Sequence, residues 1–141
     1  MASDKNPNAA ALERIYTRWH ETKGGSAEEV MELLDDEVEM HSVLTHDMPN
    51  ELAGHRVSKQ QAGEYFAALA RDWEMFFFDV YQFIADEDDV VMVGRCAWRH
   101  RETGQEVDTP KVDIWHFENG KATRFFEMFD SLAFARAVGA I

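Results

Sequence analysis

Four side chains in this 141-residue sequence are of a type and in a place to do proton chemistry. His41 closes the run Glu37-Val38-Glu39-Met40-His41, and a neutral imidazole, with an unperturbed pKa of about 6.5, is a competent base near pH 7. Asp113 sits between Val112 and Ile114, where a strand ordinarily takes an apolar or β-branched residue. Alternation puts Asp113, Trp115 and Phe117 on one face and Val112, Ile114 and His116 on the other; periodicity alone leaves open which face is buried. Tyr16 and Trp19 recur at helical spacing on an apolar stripe, where an aromatic is core material as readily as a donor. Asp130 immediately precedes Ser131, which makes it either a site carboxylate or the N-cap of a closing helix.

Other groupings carry less. His41, His46, Asp47 and His55 have no common metal-ligand spacing, so neither a metal nor another cofactor is expected. Cys96 stands alone in an apolar stretch and reads as a small hydrophobe. The balance of 14 Lys+Arg against 27 Asp+Glu gives a formal charge of −13, which stays negative with all six histidines protonated. Such a surface argues against a nucleic-acid partner, because binding a phosphate backbone needs clustered cations, and Arg95, Arg99, His100 and Arg101 form only a short strip. A hydrophobic fraction of 45%, with four Trp and ten Phe, argues against disorder. No apolar run approaches the ~20 residues of a membrane helix and the N-terminus has no signal-peptide core, so a membrane partner is not expected. With its single cysteine, the chain is expected to be cytoplasmic.

The elements that must position these side chains follow from pattern. Residues 1–8 read as a flexible tail and 9–141 as one domain. Leu12, Ile15, Tyr16 and Trp19 predict a helix from Ala9, stopped by Lys23-Gly24-Gly25. Ser26-Ala27-Glu28-Glu29 has the capping-box pattern and opens a short helix burying Val30, Leu33 and Leu34. After the acidic turn Asp35-Asp36-Glu37 comes a half-buried strand, Val38 to Leu44, then a loop from Thr45 to Val57 long enough to line a cavity. Ser58-Lys59-Gln60-Gln61 caps a third helix carrying Tyr65, Phe66, Leu69 and Trp73. Four strands follow, the last two joined by a hairpin through Asn119-Gly120, and residues 131–138 form a closing helical turn or two. Helices segregated from a run of strands make an α+β layout.

The chain resembles the nuclear-transport-factor-2-like superfamily, in particular its SnoaL-like and ketosteroid-isomerase-like members, over Leu12 to Gly139. The resemblance is carried by the aromatic first helix, the strand ending at His41, and Gly54-His55-Arg56 before the third helix. It is strongest from Val112 to Lys121 and in Glu127-Met128-Phe129-Asp130. It implies a cone-shaped barrel, a curved and mostly antiparallel sheet wrapped around a long N-terminal helix, with a pocket at the open end and a homodimer through the sheet's outer face. Ketosteroid isomerases place a general base at the end of the first strand, where this chain has His41. They also hold an aspartic acid neutral to donate to an enolate oxygen, and Asp113 matches it when the hairpin is one residue shorter; this favours Asp113 facing inward. Tyr16 then stands for the phenol paired with that acid, with Tyr65 as a comparable stand-in. Members resembling limonene-epoxide hydrolase use an aspartate near Asp130 together with an Arg-x-Asp pair, but the stretch here reads Arg95-Cys96-Ala97 and lacks the second carboxylate.

The reading is therefore a small-molecule enzyme of isomerase or cyclase type, moving a proton on an apolar carbonyl compound. His41 would act as base, Asp113 and Tyr16 as oxyanion donors, and Asp130 as a further candidate. Trp19, Met40, Phe66, Trp73 and Trp115 would form the pocket wall. A non-catalytic binding or dimerisation module on the same fold is the alternative, and an epoxide-hydrolase-like enzyme with rewired carboxylates is a third.

Overall fold

The computed structural model of the protein describes residues 6–141. Of the tail expected over residues 1–8, residues 1–5 lie outside the described residues. Asn6 is an N-cap whose side chain accepts from the amides of Asn8 and Ala9, and Pro7 opens the first helix, where its missing amide N–H costs nothing. That helix, α1 (Pro7–Glu21), buries Leu12, Tyr16 and Trp19 along one stripe. It is followed by α2 (Ala27–Leu33), β1 (Leu34–Ser42), α3 (Lys59–Asp72), β2 (Trp73–Asp86), β3 (Asp89–His100), β4 (Glu106–Glu118), β5 (Lys121–Met128) and α4 (Ser131–Ala137).

Local expectations change in several places: Trp73, expected on the third helix, opens β2, and Leu34, expected on the second helix, opens β1. The acidic run Asp35-Asp36-Glu37 lies within β1 rather than in a turn, and the register of β1 against β5 is irregular between Leu34 and Glu39. Ser58 caps α3 by accepting from the Gln61 amide, but Ser26 makes no side-chain cap bond. Its hydroxyl is buried without a partner among the described residues.

The five strands form one sheet in the order β1-β5-β4-β3-β2, with β1 parallel to β5 and the other pairs antiparallel. This corrects the cone-shaped barrel implied by the resemblance: the sheet is mixed and open, and its edge strands β1 and β2 do not pair with each other. Each edge is occupied by something other than a strand. On β1, Met40 exchanges both backbone hydrogen bonds with Arg56, at 2.8 Å each. On β2, the Phe78 amide donates to His20 Nδ1 of α1 at 3.0 Å. The helices cover one face of this sheet and the core lies between them, including Leu12, Val38, Leu44, Val90, Met92 and Phe117. Among the described residues no helix is long and apolar enough to cross a membrane.

Candidate active site

β4 alternates strictly. Val107, Thr109, Lys111, Asp113, Trp115 and Phe117 face the helices and are buried, while the residues between them face out. Asp113 is thus on the inside, 3% exposed, and Ile114 on the outside, 38% exposed. Directly across from Asp113 in the ladder is Glu127 of β5, 4% exposed. Two carboxyls facing each other across a strand pair repel. Lys111, two residues before Asp113 on the same face, offsets this: its Nζ donates to Asp113 Oδ1 at 2.5 Å and to Glu127 Oε1 at 3.1 Å.

Two phenols from the covering helices complete the cluster. Tyr16 of α1 donates to Asp113 Oδ2 at 2.5 Å and accepts from Trp115 Nε1 at 2.9 Å. Tyr65 of α3 lies 2.9 and 3.0 Å from the two Glu127 oxygens, which accept its O–H. A continuous chain therefore runs Trp115, Tyr16, Asp113, Lys111, Glu127, Tyr65. It forms the polar part of a cavity of about 120 Å³, a size of the order that takes up one aromatic ring. Trp19, Met40, Phe66, Trp73 and Trp115 are in its wall.

Burial dominates the electrostatics. It raises the Asp113 carboxyl above its ordinary value, with Lys111 and Tyr16 pulling the other way. It also raises both phenols well above theirs, Tyr16 helped by the charge of Asp113 and Tyr65 by that of Glu127. For Lys111, burial works to lower the value, but Asp113 and Glu127 outweigh it and the amine holds its proton more tightly than in water. The lysine is therefore a cation and hydrogen-bond donor, not a free nucleophile. One cation against two carboxyls leaves the cluster one charge short of neutral, in keeping with the raised Asp113 carboxyl. Cys96, also in the cavity wall, has its thiol pushed up to about 11 by burial, and so stays un-ionised.

A family model for the SnoaL-like domain matches residues 12–125. The chain belongs to the SnoaL-like family. Among solved structures, this SnoaL-like chain is similar to an NTF2-like protein of unknown function from Burkholderia pseudomallei, with 21% identity, a TM-score of 0.79, and coverage of 93% of this chain and 96% of that one. It is also similar to a putative isomerase from Rhodopseudomonas palustris, at 17% identity and TM-score 0.75 over 94% of this chain and 96% of that one. A third is a putative SnoaL-like polyketide cyclase from Jannaschia, at 19% identity and TM-score 0.73 over 95% of this chain and 92% of that one. No curated protein matches the sequence.

Within this SnoaL-like domain the candidate residues separate. Asp113 and Tyr16 meet in the cavity. His41 does not join them: its neighbour Met40 faces the core, so parity turns His41 outward, its side chain 41% exposed, 3.5 Å from Glu39 and stacked on His55 at 5.3 Å. Asp130 accepts from the Ala133 amide at 3.0 Å as the N-cap of α4. His46 pairs with Asp47 on the exposed loop, and Arg95 pairs with Asp108 on the outer face of the sheet. Lys111 and Glu127 were not singled out from sequence, although the signal for Lys111 was present: once Asp113 faces inward, parity carries Lys111 in with it. Glu127 had no such cue, since its neighbour across the ladder is set only by the β4–β5 register.

Proposed function

We propose that this SnoaL-like protein catalyses acid–base proton transfer, of isomerase or cyclase type, on an apolar carbonyl-bearing small molecule bound in the cavity. One observation carries the reading: an ammonium and two carboxyls converge, almost fully buried, in a cavity walled for the most part by aromatic and aliphatic side chains. Two of the three Lys111 N–H groups are committed to Asp113 and Glu127, and the third is available to a substrate oxygen. A carboxylate, Asp113 or Glu127, takes the proton from the carbon beside the carbonyl. The C–H electron pair passes into the enolate, whose oxygen is stabilised by Lys111. Returning the proton at another carbon completes an isomerisation; in a cyclisation the enolate carbon attacks a second carbonyl, whose π pair moves onto its oxygen, and the carboxyl returns the proton to that alkoxide. Tyr16 holds Asp113 in place, and excluding water strengthens each of these interactions. The names of the Rhodopseudomonas and Jannaschia neighbours are of the same reaction types.

The test is hydrogen exchange at carbon. With a panel of aryl ketones and cyclic enones in D2O, proton NMR should show loss of the α-proton signal with the wild type. The rate should fall by ~100-fold or more in Asp113→Asn or Glu127→Gln. A ketone that binds in the cavity without any exchange would overturn the reading and leave a non-catalytic binding module.

A second reading rests on the spacing Lys111-x-Asp113 with Glu127 across the ladder. This places a cation between two carboxyls, an arrangement that can activate water against an epoxide. Diol formation from aryl epoxides, without ketone exchange, would favour it.

We also propose a homodimer through the outer face of the sheet. Two adjacent rungs there, Ile84–Val91–Ile114–Phe126 and Gln82–Val93–Val112–Met128, are almost wholly apolar across four strands. The ion pairs Arg95–Asp108 and Arg99–Glu74 lie to one side and His116–Asp89 to the other. An apolar band with a polar rim, carrying charges of both signs on a chain of net charge −13, suits a second copy of itself. Sedimentation should give a dimer, and Ile114→Lys a monomer. A cytoplasmic location belongs to the same reading and accords with the buried, unpaired Cys96.

A further inference from the structure

Between β1 and α3 the chain runs through residues 43–58, a strap over one side of the cavity to whose wall it contributes Leu52. Arg56 fastens this strap more than any other residue. Its backbone makes the two-way bridge to Met40 of β1. Its guanidinium donates to the Glu51 carbonyl within the strap at 2.5 Å and to the Gln61 carbonyl in the first turn of α3 at 3.2 Å. One turn further along α3 is Tyr65, and the Arg56 guanidinium carbon lies 5.7 Å from the centre of its ring. Tyr65 is the phenol that donates to Glu127.

Taking the proton-transfer reading as its basis for activity, we infer that Arg56 is a positioning residue that couples the strap to the acid cluster by holding the ring of Tyr65 against Glu127. A cation over the ring face fixes the ring's orientation, and its field draws electron density from the phenol, which makes the O–H a better donor to the carboxylate. The planar fork is essential, because it reaches carbonyls on two segments while its charge lies over the ring. A lysine at the same place keeps the charge but cannot span both carbonyls.

The test has one arm independent of activity. In protein labelled at tyrosine Cζ, three carbon signals arise, from Tyr16, Tyr65 and Tyr81, and the one lost in Tyr65→Phe is that of Tyr65. Arg56→Met and Glu127→Gln should each displace the Tyr65 signal, and Arg56→Lys should bring it part of the way back. In the second arm, Arg56→Met should slow α-proton exchange by about fivefold in the wild-type background and by under about twofold in Tyr65→Phe, with kcat rather than KM bearing the change. A Tyr65 signal unmoved in Arg56→Met overturns the inference, as does an equal loss of rate in both backgrounds. Should Arg56→Met fail to fold, Arg56→Lys decides by the same signal. If no ketone exchanges with the wild type, the proton-transfer reading falls, and the carbon signals still decide the role of Arg56.

Discussion

The two faces of the β3–β4–β5 sheet carry the same kinds of charged residue to opposite effect. On the outer face, Arg95 meets Asp108 with two hydrogen bonds, at 2.7 and 2.5 Å, and both side chains are about half exposed. On the inner face, Lys111 meets Asp113 and Glu127 at similar distances, with side-chain exposures of 11%, 4% and 5%. Geometry is thus nearly matched, and solvent is the variable. Outside, water screens the pair and pays little attention to its loss. Inside, each charge has been taken from water and depends on its neighbours, so the cluster is costly to break and open to chemistry. Position in the ladder, not residue type, separates a surface ion pair from a candidate active site.

The sharpest way to break this comparison is to remove the cation on each face. Lys111→Met should destabilise the protein by ~3–5 kcal/mol in urea unfolding at pH 7, because it leaves two carboxyls opposed and unpaired in the core. A loss close to zero would mean that the inner cluster is no more coupled than a surface pair. Next comes alkaline pH. Lys111, Tyr16 and Tyr65 all hold their protons more tightly in the folded chain than at their ordinary values of 10.5, 10.0 and 10.0. Their stabilising contribution is therefore complete below pH 10 and falls as pH rises beyond it. Unfolding followed by circular dichroism between pH 9 and 12 should show a steep decline, less steep by one proton in Tyr65→Phe.

Tyr16→Phe is expected to cost ~1–3 kcal/mol, since it leaves the Trp115 indole N–H without its acceptor and Asp113 Oδ2 without its donor. Asp130→Ala should cost ~1 kcal/mol in thermal unfolding through the lost cap of α4, with α-proton exchange untouched. Smallest of all, Arg95→Met should leave the urea midpoint where it is, the outer-face counterpart to Lys111→Met.

Much of this molecule was legible before its structure. Helical spacing of Leu12, Tyr16 and Trp19 located α1, the Ser58 cap located α3, and Asn119-Gly120 located the β4–β5 hairpin, because these signals are local. Strand parity also paired Asp113 with Trp115 and Phe117 on one face. The same parity argues against His41 as the base: with Val38 and Met40 turned to the core, the residue after Met40 must turn away. The expected barrel fails for a different reason. Whether a sheet closes depends on what its edge strands meet, and here they meet Arg56 and His20.

By itself, then, the sequence determined the element order, the family and the alternation that brings Lys111 and Asp113 to one side of β4, all consequences of short-range spacing. Only the tertiary structure decided that this side faces the core and that Glu127 stands across from Asp113. Only there do Tyr16 and Tyr65 arrive from two separate helices to complete the chain of hydrogen bonds. These are facts of register and packing between segments 14 to nearly 100 residues apart, and the energy that selects them is burial, which no local pattern records.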